Sequence, residues 1–137
     1  METIHVNASK EEIGQVFDFV NSELEAAGAD LKMRMKIQLA VEEIYVNIAS
    51  YAYPAGAQNF GADVAVDIKD GVARIIFKDR GLKYNPLEKE DPDVTLAANE
   101  RQIGGLGIFM VKKMMDDVLY EYRYEDGANI LTLIKNL

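Results

Sequence analysis

The sequence contains no cysteine and no tryptophan, and it has only three prolines and one histidine. Without cysteine there is neither a disulfide framework nor a thiolate metal site. The one histidine, His5, falls on a short run near the start, where a surface or core role fits better than catalysis. Positive charge is also in deficit: 15 Lys and Arg stand against 23 Asp and Glu, a net charge of -8. Duplex DNA and anionic membranes need clustered Lys and Arg, so neither is expected as a partner. The balance suits a partner with a basic surface and leaves nucleotides open, since phosphates are held by local amides and helix ends. The opening METIHVNASK has no basic segment followed by an apolar one, and no apolar run approaches membrane-spanning length. Neither a secretory signal nor a spanning helix is therefore expected, and the expected compartment is the cytoplasm.

What is present suits one compact domain over residues 1–137, with 49% hydrophobic residues to build a core and 28% charged residues to keep it soluble. Thr3-Ile4-His5-Val6 reads as a short strand. Ser9 with Glu12 reads as a capping box opening a helix, whose apolar positions Ile13, Val16, Phe17, Val20 and Leu24 recur at helical spacing. Gly28 closes that helix, and Asp30 caps a longer one over 31–51. The apolar stripe expected of this second helix is Met35, Leu39, Ile44 and Ile48, with Val41 and Val46 beside it. Alternating runs over 62–68 and 72–77, joined by Lys69-Asp70-Gly71, signal a hairpin. Residues 80–105 lose all periodicity, which in a compact domain marks a functional loop. A helix over 107–115 and a hairpin of 118–124 with 130–134 complete the chain. This order predicts an α+β two-layer sandwich, with helices on one face of a mixed, mostly antiparallel sheet.

Three groups of residues carry candidate chemistry. Glu43 and Asn47 stand at i, i+4 and leave one face of the long helix. Asn is a middling helix former, so its place in mid-helix invites a reason. Its amide oxygen suits Mg²⁺, which takes oxygen ligands and draws most of them from phosphate and water. A carboxylate one turn away can accept a proton from an attacking hydroxyl. Asp79-Arg80-Gly81 follows the apolar strand Ile75-Ile76-Phe77, where the carboxylate can accept from the exocyclic amine of a base and Gly81 lets backbone approach a ring. Gly104-Gly105-Leu106-Gly107 precedes an amphipathic stretch, and free amides at a helix start suit phosphate. Each group alone also fits ordinary structure: a solvated helix face, a strand-ending turn, a flexible hinge. No Gly-Lys-Ser/Thr follows the glycines, so they are not a P-loop, and no parallel βαβ unit surrounds them.

Together the three stand in one order around one Mg-nucleotide. VEEIYVNIASYAYP resembles the N-box of the GHKL ATPases, IIFKDRGLKYNPL the first glycine box, and GGLGIFMVKKMMDDVLY the second. Within that superfamily the chain is most similar to the stand-alone serine/threonine kinases that act as anti-sigma factors. The resemblance runs from about residue 31 to the end of the chain. It implies a Bergerat-type fold, ATP and Mg²⁺ as cofactors, and a sigma factor and an antagonist protein as partners, with pairing as a homodimer. It implies Glu43 as general base, Asn47 as magnesium ligand, Asp79 on the adenine amine, and Gly81 along the ring. Gly104, Gly105 and Gly107 would line the phosphates, with Arg101 and Gln102 in a lid. Two positions depart from the pattern. Asn129 stands where a Thr that helps hold adenine is common, and its amide can supply the same donor and acceptor. Tyr51-Ala52 stands where a His-Gly pair is frequent.

The readings that follow are a protein kinase that also binds its partners, and a nucleotide-sensing interaction module without catalysis. The catalytic part of a sensor histidine kinase is disfavoured, because His5 is the only histidine and no long helical hairpin carries it. A plain α+β scaffold remains as the reading without a nucleotide. Met33, Met35, Met110, Met114 and Met115 are expected to be packing residues. Tyr120, Tyr122 and Tyr124 alternate, so they are expected on one sheet face as a core cap or an interface patch, and Phe60 is expected to anchor a loop.

Overall fold

The computed structural model describes residues 1–55, 57, 60–88 and 106–137. Strand β1 (Glu2–Asn7) leads through a short 3-10 turn (Lys10–Glu12) into helix α1 (Ile13–Ala26). Helix α2 (Leu31–Asn47) runs without a break into a π-helical turn (Ile48–Ala52). Strands β2 (Gly61–Lys69) and β3 (Val72–Asp79) follow, then a 3-10 turn (Pro86–Glu88), helix α3 (Leu106–Met114), and strands β4 (Asp117–Arg123) and β5 (Ala128–Asn136).

The strands form one sheet in the order β1-β2-β3-β5-β4. Every neighbouring pair runs antiparallel, so among the described residues the expected mostly antiparallel sheet is antiparallel throughout. Lys69 faces Val72, which leaves Asp70 and Gly71 as the two turn residues, at φ 52° and 76°. Positive φ at both positions is what a type I′ hairpin turn requires, and Asp-Gly supplies it cheaply. Burial alternates strictly along β3, with Ala73, Ile75, Phe77 and Asp79 turned inward. Val64 and Val66 of β2 and Leu131 and Leu133 of β5 share that face. Against it pack Val16, Val20 and Leu24 of α1, Ile37, Val41 and Ile44 of α2, and Ile108 and Val111 of α3. The three helices thus form the second layer of the sandwich, and each large apolar side chain moved out of water contributes about 1.5–3 kcal/mol.

The ends of the helices are set by local chemistry. The Asp30 carboxylate accepts from the Met33 amide at 2.8 Å and opens α2, while Gly28, at φ 85°, ends the segment after α1. The expected capping box at Ser9 is not formed. Ser9 makes no side-chain cap, and Glu12 reaches back past it to accept from the amide of Asn7. The 3-10 turn at Lys10–Glu12 moves the start of α1 to Ile13, so Glu12 serves the end of β1 instead.

The stripe expected for α2 is corrected more substantially. Its buried residues are Ile37, Ala40, Val41, Ile44 and Tyr45, whereas Met35 and Leu39 are 61% and 57% exposed. The reason is angular. At about 100° per residue, Leu39 and Ile44 stand about 140° apart, so the expected stripe mixed two faces. Of the methionines, Met115 is buried and Met33 and Met114 pack partly against the core, but Met35 and Met110 lie on the surface. Tyr120 and Tyr122 lie on β4, opposite Leu131 and Asn129, whereas Tyr124 falls in the turn beyond the strand and is exposed. The carbonyl of Phe60 accepts from the Ala8 amide at 2.7 Å, which fastens the loop to the end of β1. No helix among the described residues is long and apolar enough to cross a membrane.

Candidate functional site

The carboxyl-terminal turns of α2 carry Glu43 and Asn47, both partly exposed. The Asn47 amide nitrogen lies 3.4 Å from Glu43 Oε1, a long contact that leaves the Asn47 Oδ1 without a donor among the described residues. On its other side Glu43 meets Gly107, at the first turn of α3. A Cβ at position 107 would fall 1.9 Å from Glu43 Oε1. Only a residue without a side chain lets the start of α3 come this close to the carboxylate. Gly107 therefore joins Glu43 and Asn47 in one cluster, although its neighbours in the chain, Gly104 and Gly105, lie outside the described residues along with Arg101 and Gln102.

A second cluster forms where β3 ends. Asp79 is 6% exposed. Its Oδ1 accepts from the Gly81 amide at 2.9 Å and from the Asn129 amide nitrogen at 3.0 Å. No described residue donates to Oδ2. Burial pushes the Asp79 carboxyl above the usual carboxylate range, and the bonds from Gly81 and Asn129 pull it part of the way back.

The other two members of the cluster, Gly81 and Asn129, are held by contacts within the protein. A Cβ on Gly81 would lie 2.2 Å from the Ala52 carbonyl oxygen, so the glycine accommodates the end of the α2 segment. The same carbonyl accepts from the Leu82 amide at 2.7 Å. Asn129, expected to touch the nucleotide, has all four side-chain valences occupied by protein. Its nitrogen donates to Asp79 Oδ1 and to the Leu82 carbonyl at 2.9 Å. Its oxygen accepts from the Tyr84 amide at 3.1 Å and from the Tyr120 hydroxyl at 2.5 Å. Asn129 positions Asp79 and the following loop.

Ala52 connects the two clusters. It lies five residues beyond Asn47, about 7 Å along a helical axis, and its carbonyl touches the turn that follows Asp79. The pair Tyr51-Ala52 is also explained here. Tyr51 points to solvent, and Ala52 keeps a small residue where its own Cβ would meet a Cβ on Gly81 at 2.8 Å. Tyr53 adds a fastening that the sequence did not suggest. Its hydroxyl donates to the Gly61 carbonyl at 2.6 Å and accepts from the Arg80 amide at 2.8 Å, tying the start of β2 to the end of β3.

A cavity of about 450 Å³ opens beside Asn129, lined by Lys83, Tyr84, Asn85, Glu88 and Tyr120. Neither Glu43, Asn47 nor Asp79 lines it. Among the described residues no group of three His, Cys, Asp or Glu side chains could cage a metal. The donor set at Asn47 instead suits an ion that takes one amide oxygen from protein and the rest from phosphate and water, which is the habit of Mg²⁺.

Comparisons with known proteins bear on the family and the fold. A family model described as histidine kinase-like ATPase domain matches residues 6–135. No curated protein matches the chain by sequence. Among solved structures, the chain is similar to the RsbU and RsbW domains of Rv1364c from Mycobacterium tuberculosis, with a TM-score of 0.63 and 17% identity over 100% of this chain and 33% of that one. It is also similar to a chain of the SiaB-SiaC complex from Pseudomonas aeruginosa, with a TM-score of 0.61 and 16% identity over 100% of this chain and 90% of that one. At these identities the likeness is one of fold, and the chain spans about a third of the first of these proteins. The family match covers nearly the whole chain, including both clusters, and the chain therefore belongs to the histidine kinase-like ATPase domains.

Proposed function

We propose that the chain binds Mg-ATP across its two clusters and transfers the γ-phosphoryl group to a serine or threonine of an antagonist protein, while its free form holds a sigma factor inactive. The observation that carries the reading is the contact of Glu43 with Asn47 on one side and Gly107 on the other, which joins a base, a metal ligand and the start of a helix. In this reading Asp79 Oδ2 accepts from the adenine amine. Asn47 Oδ1 would hold Mg²⁺, which would offset negative charge on the phosphates as it develops. The attacking hydroxyl gives its proton to Glu43 and forms a bond to the γ-phosphorus. The bond from that phosphorus to the β,γ-bridging oxygen breaks, and ADP leaves. Gly104 and Gly105 are proposed to add phosphate-binding amides, and Arg101 charge near the γ-phosphate. The likeness to the RsbW domain and to the SiaB-SiaC complex supports the choice of partners.

The test is transfer of label from γ-labelled ATP to candidate antagonist proteins in the presence of Mg²⁺. Glu43→Gln is expected to lower transfer by about 10²-fold or more while calorimetry shows nucleotide affinity little changed. Unchanged transfer in Glu43→Gln would rule out the assignment of the base. If no label moves but ATP still alters the affinity for a partner, the chain is a nucleotide-sensing interaction module.

A further inference from the structure

Helix α2 presents a second, unburied face. Leu31, Met35 and Leu39 recur every four residues, and they are 62%, 61% and 57% exposed. With Met114 of α3 and with Lys32 and Lys36 they line a groove of about 390 Å³ along the seam between the two helices. Three large apolar side chains on adjoining turns form a contiguous patch, which marks a surface that meets something else.

The charges around the groove indicate its occupant. Lys32 and Lys36 form no ion pair among the described residues. Asp30 caps the start of α2 and answers its dipole, so the positive charge at the groove is that of Lys32 and Lys36 themselves. In a chain of net charge -8 this is a local reversal of sign. An apolar floor flanked by two lysines is complementary to an acidic amphipathic helix.

The groove also leads to the proposed base. One further step of four residues after Leu39 reaches Glu43, about 6 Å along the axis and about 40° around it. At that point α3 begins, with Gly107 against Glu43.

We propose that this groove is the docking site for an amphipathic helix of a protein partner, apolar on one face and flanked by Asp and Glu, and that docking brings the partner alongside Glu43. The purpose of the site rests on the phosphotransfer reading, but its existence does not. The probes are two stapled helical peptides with the same leucine face, one flanked by Glu and one by Lys, followed by fluorescence anisotropy without nucleotide. The Glu-flanked peptide is expected to bind about tenfold or more tighter, with the difference shrinking as salt rises. Met35→Glu and Leu39→Glu, both at exposed positions, are expected to weaken it about tenfold or more, and Lys32→Glu with Lys36→Glu to reverse the preference. Equal affinities, or no binding of either peptide, overturn the proposal. So does a change from dimer to monomer in sedimentation of Met35→Glu, which would make the groove an interface between copies of this chain. ATP titration of the same proteins separates the two readings, because loss of nucleotide binding in the unmodified chain counts against the kinase reading alone.

Discussion

The side-chain amide of Asn129 holds the carboxylate of Asp79 from the neighbouring strand, with its nitrogen 3.0 Å from Oδ1. The two residues are paired in the register of β3 and β5. Asp79 ends β3, and Asn129 lies near the start of β5, so the sheet itself brings them together. The consequence is a buried carboxylate with one oxygen fixed by two protein donors.

That arrangement makes Asp79 a cost to stability. Burial raises its pKa in the folded state above the ordinary 3.8, so its contribution to stability is complete below that value and is lost as pH rises through the folded pKa. Asp79→Asn can keep both bonds at Oδ1 while removing the charge. Thermal melts are expected to show the variant at least as stable as the parent at neutral pH, with its advantage growing as pH rises from about 4. Calorimetry is expected to show ATP binding weakened by about 10- to 100-fold, since an amide nitrogen would face the adenine amine. A variant that is both unstable and able to bind would contradict the assignment.

Asn129→Ala removes the partners of Asp79, Leu82, Tyr84 and Tyr120 at once. The expected loss is about 2–4 kcal/mol, read as a fall in melting temperature of about 10 °C. Asn129→Asp keeps the acceptors but sets a second carboxylate against Asp79. Its stability relative to the parent is expected to fall as pH rises, because two like charges must then ionise side by side.

The two site glycines are expected to fail in opposite ways. Gly81→Ala drives a Cβ into the Ala52 backbone at 2.2 Å, which no rotamer change relieves. A loss of about 1–3 kcal/mol in chemical denaturation is expected. Gly107→Ala meets only the end of the Glu43 side chain, which can swing away. Its stability is expected to change by less than about 1 kcal/mol, while phosphate transfer falls about tenfold or more because the carboxylate is displaced.

Tyr53→Phe tests the link between strands. It removes the Tyr53 hydroxyl bonds to the Gly61 carbonyl and from the Arg80 amide. A loss of about 1–3 kcal/mol is expected, with faster hydrogen exchange at the amide of Arg80.

How far the sequence could be read follows from the range of each interaction. The Asp70-Gly71 turn, the Asp30 cap and the alternation of β3 are decided within a few residues, and these features appear where the pattern puts them. The spacing of Glu43 and Asn47 likewise needs only helix geometry. Two things were out of reach. The choice between the faces of α2 is made by the sheet it packs on, and Met35 and Leu39 are as apolar as the residues that it buries. The occupation of Asn129 depends on Leu82, Tyr84 and Tyr120, which come from separate parts of the chain. Composition at position 129 suggests an amide's capacity, but only the fold reveals that protein has already used it.

The hairpin turn at Asp70-Gly71 offers an experimental handle. It stands at the opposite end of β3 from Asp79, about 24 Å away at the usual rise of an extended strand. Leu137 is fastened beside it, its amide donating to the Gly71 carbonyl at 2.8 Å. A dye, biotin or surface linker attached at this pole leaves the Asp79 end untouched, so nucleotide titrations on immobilised protein can test the proposed site there.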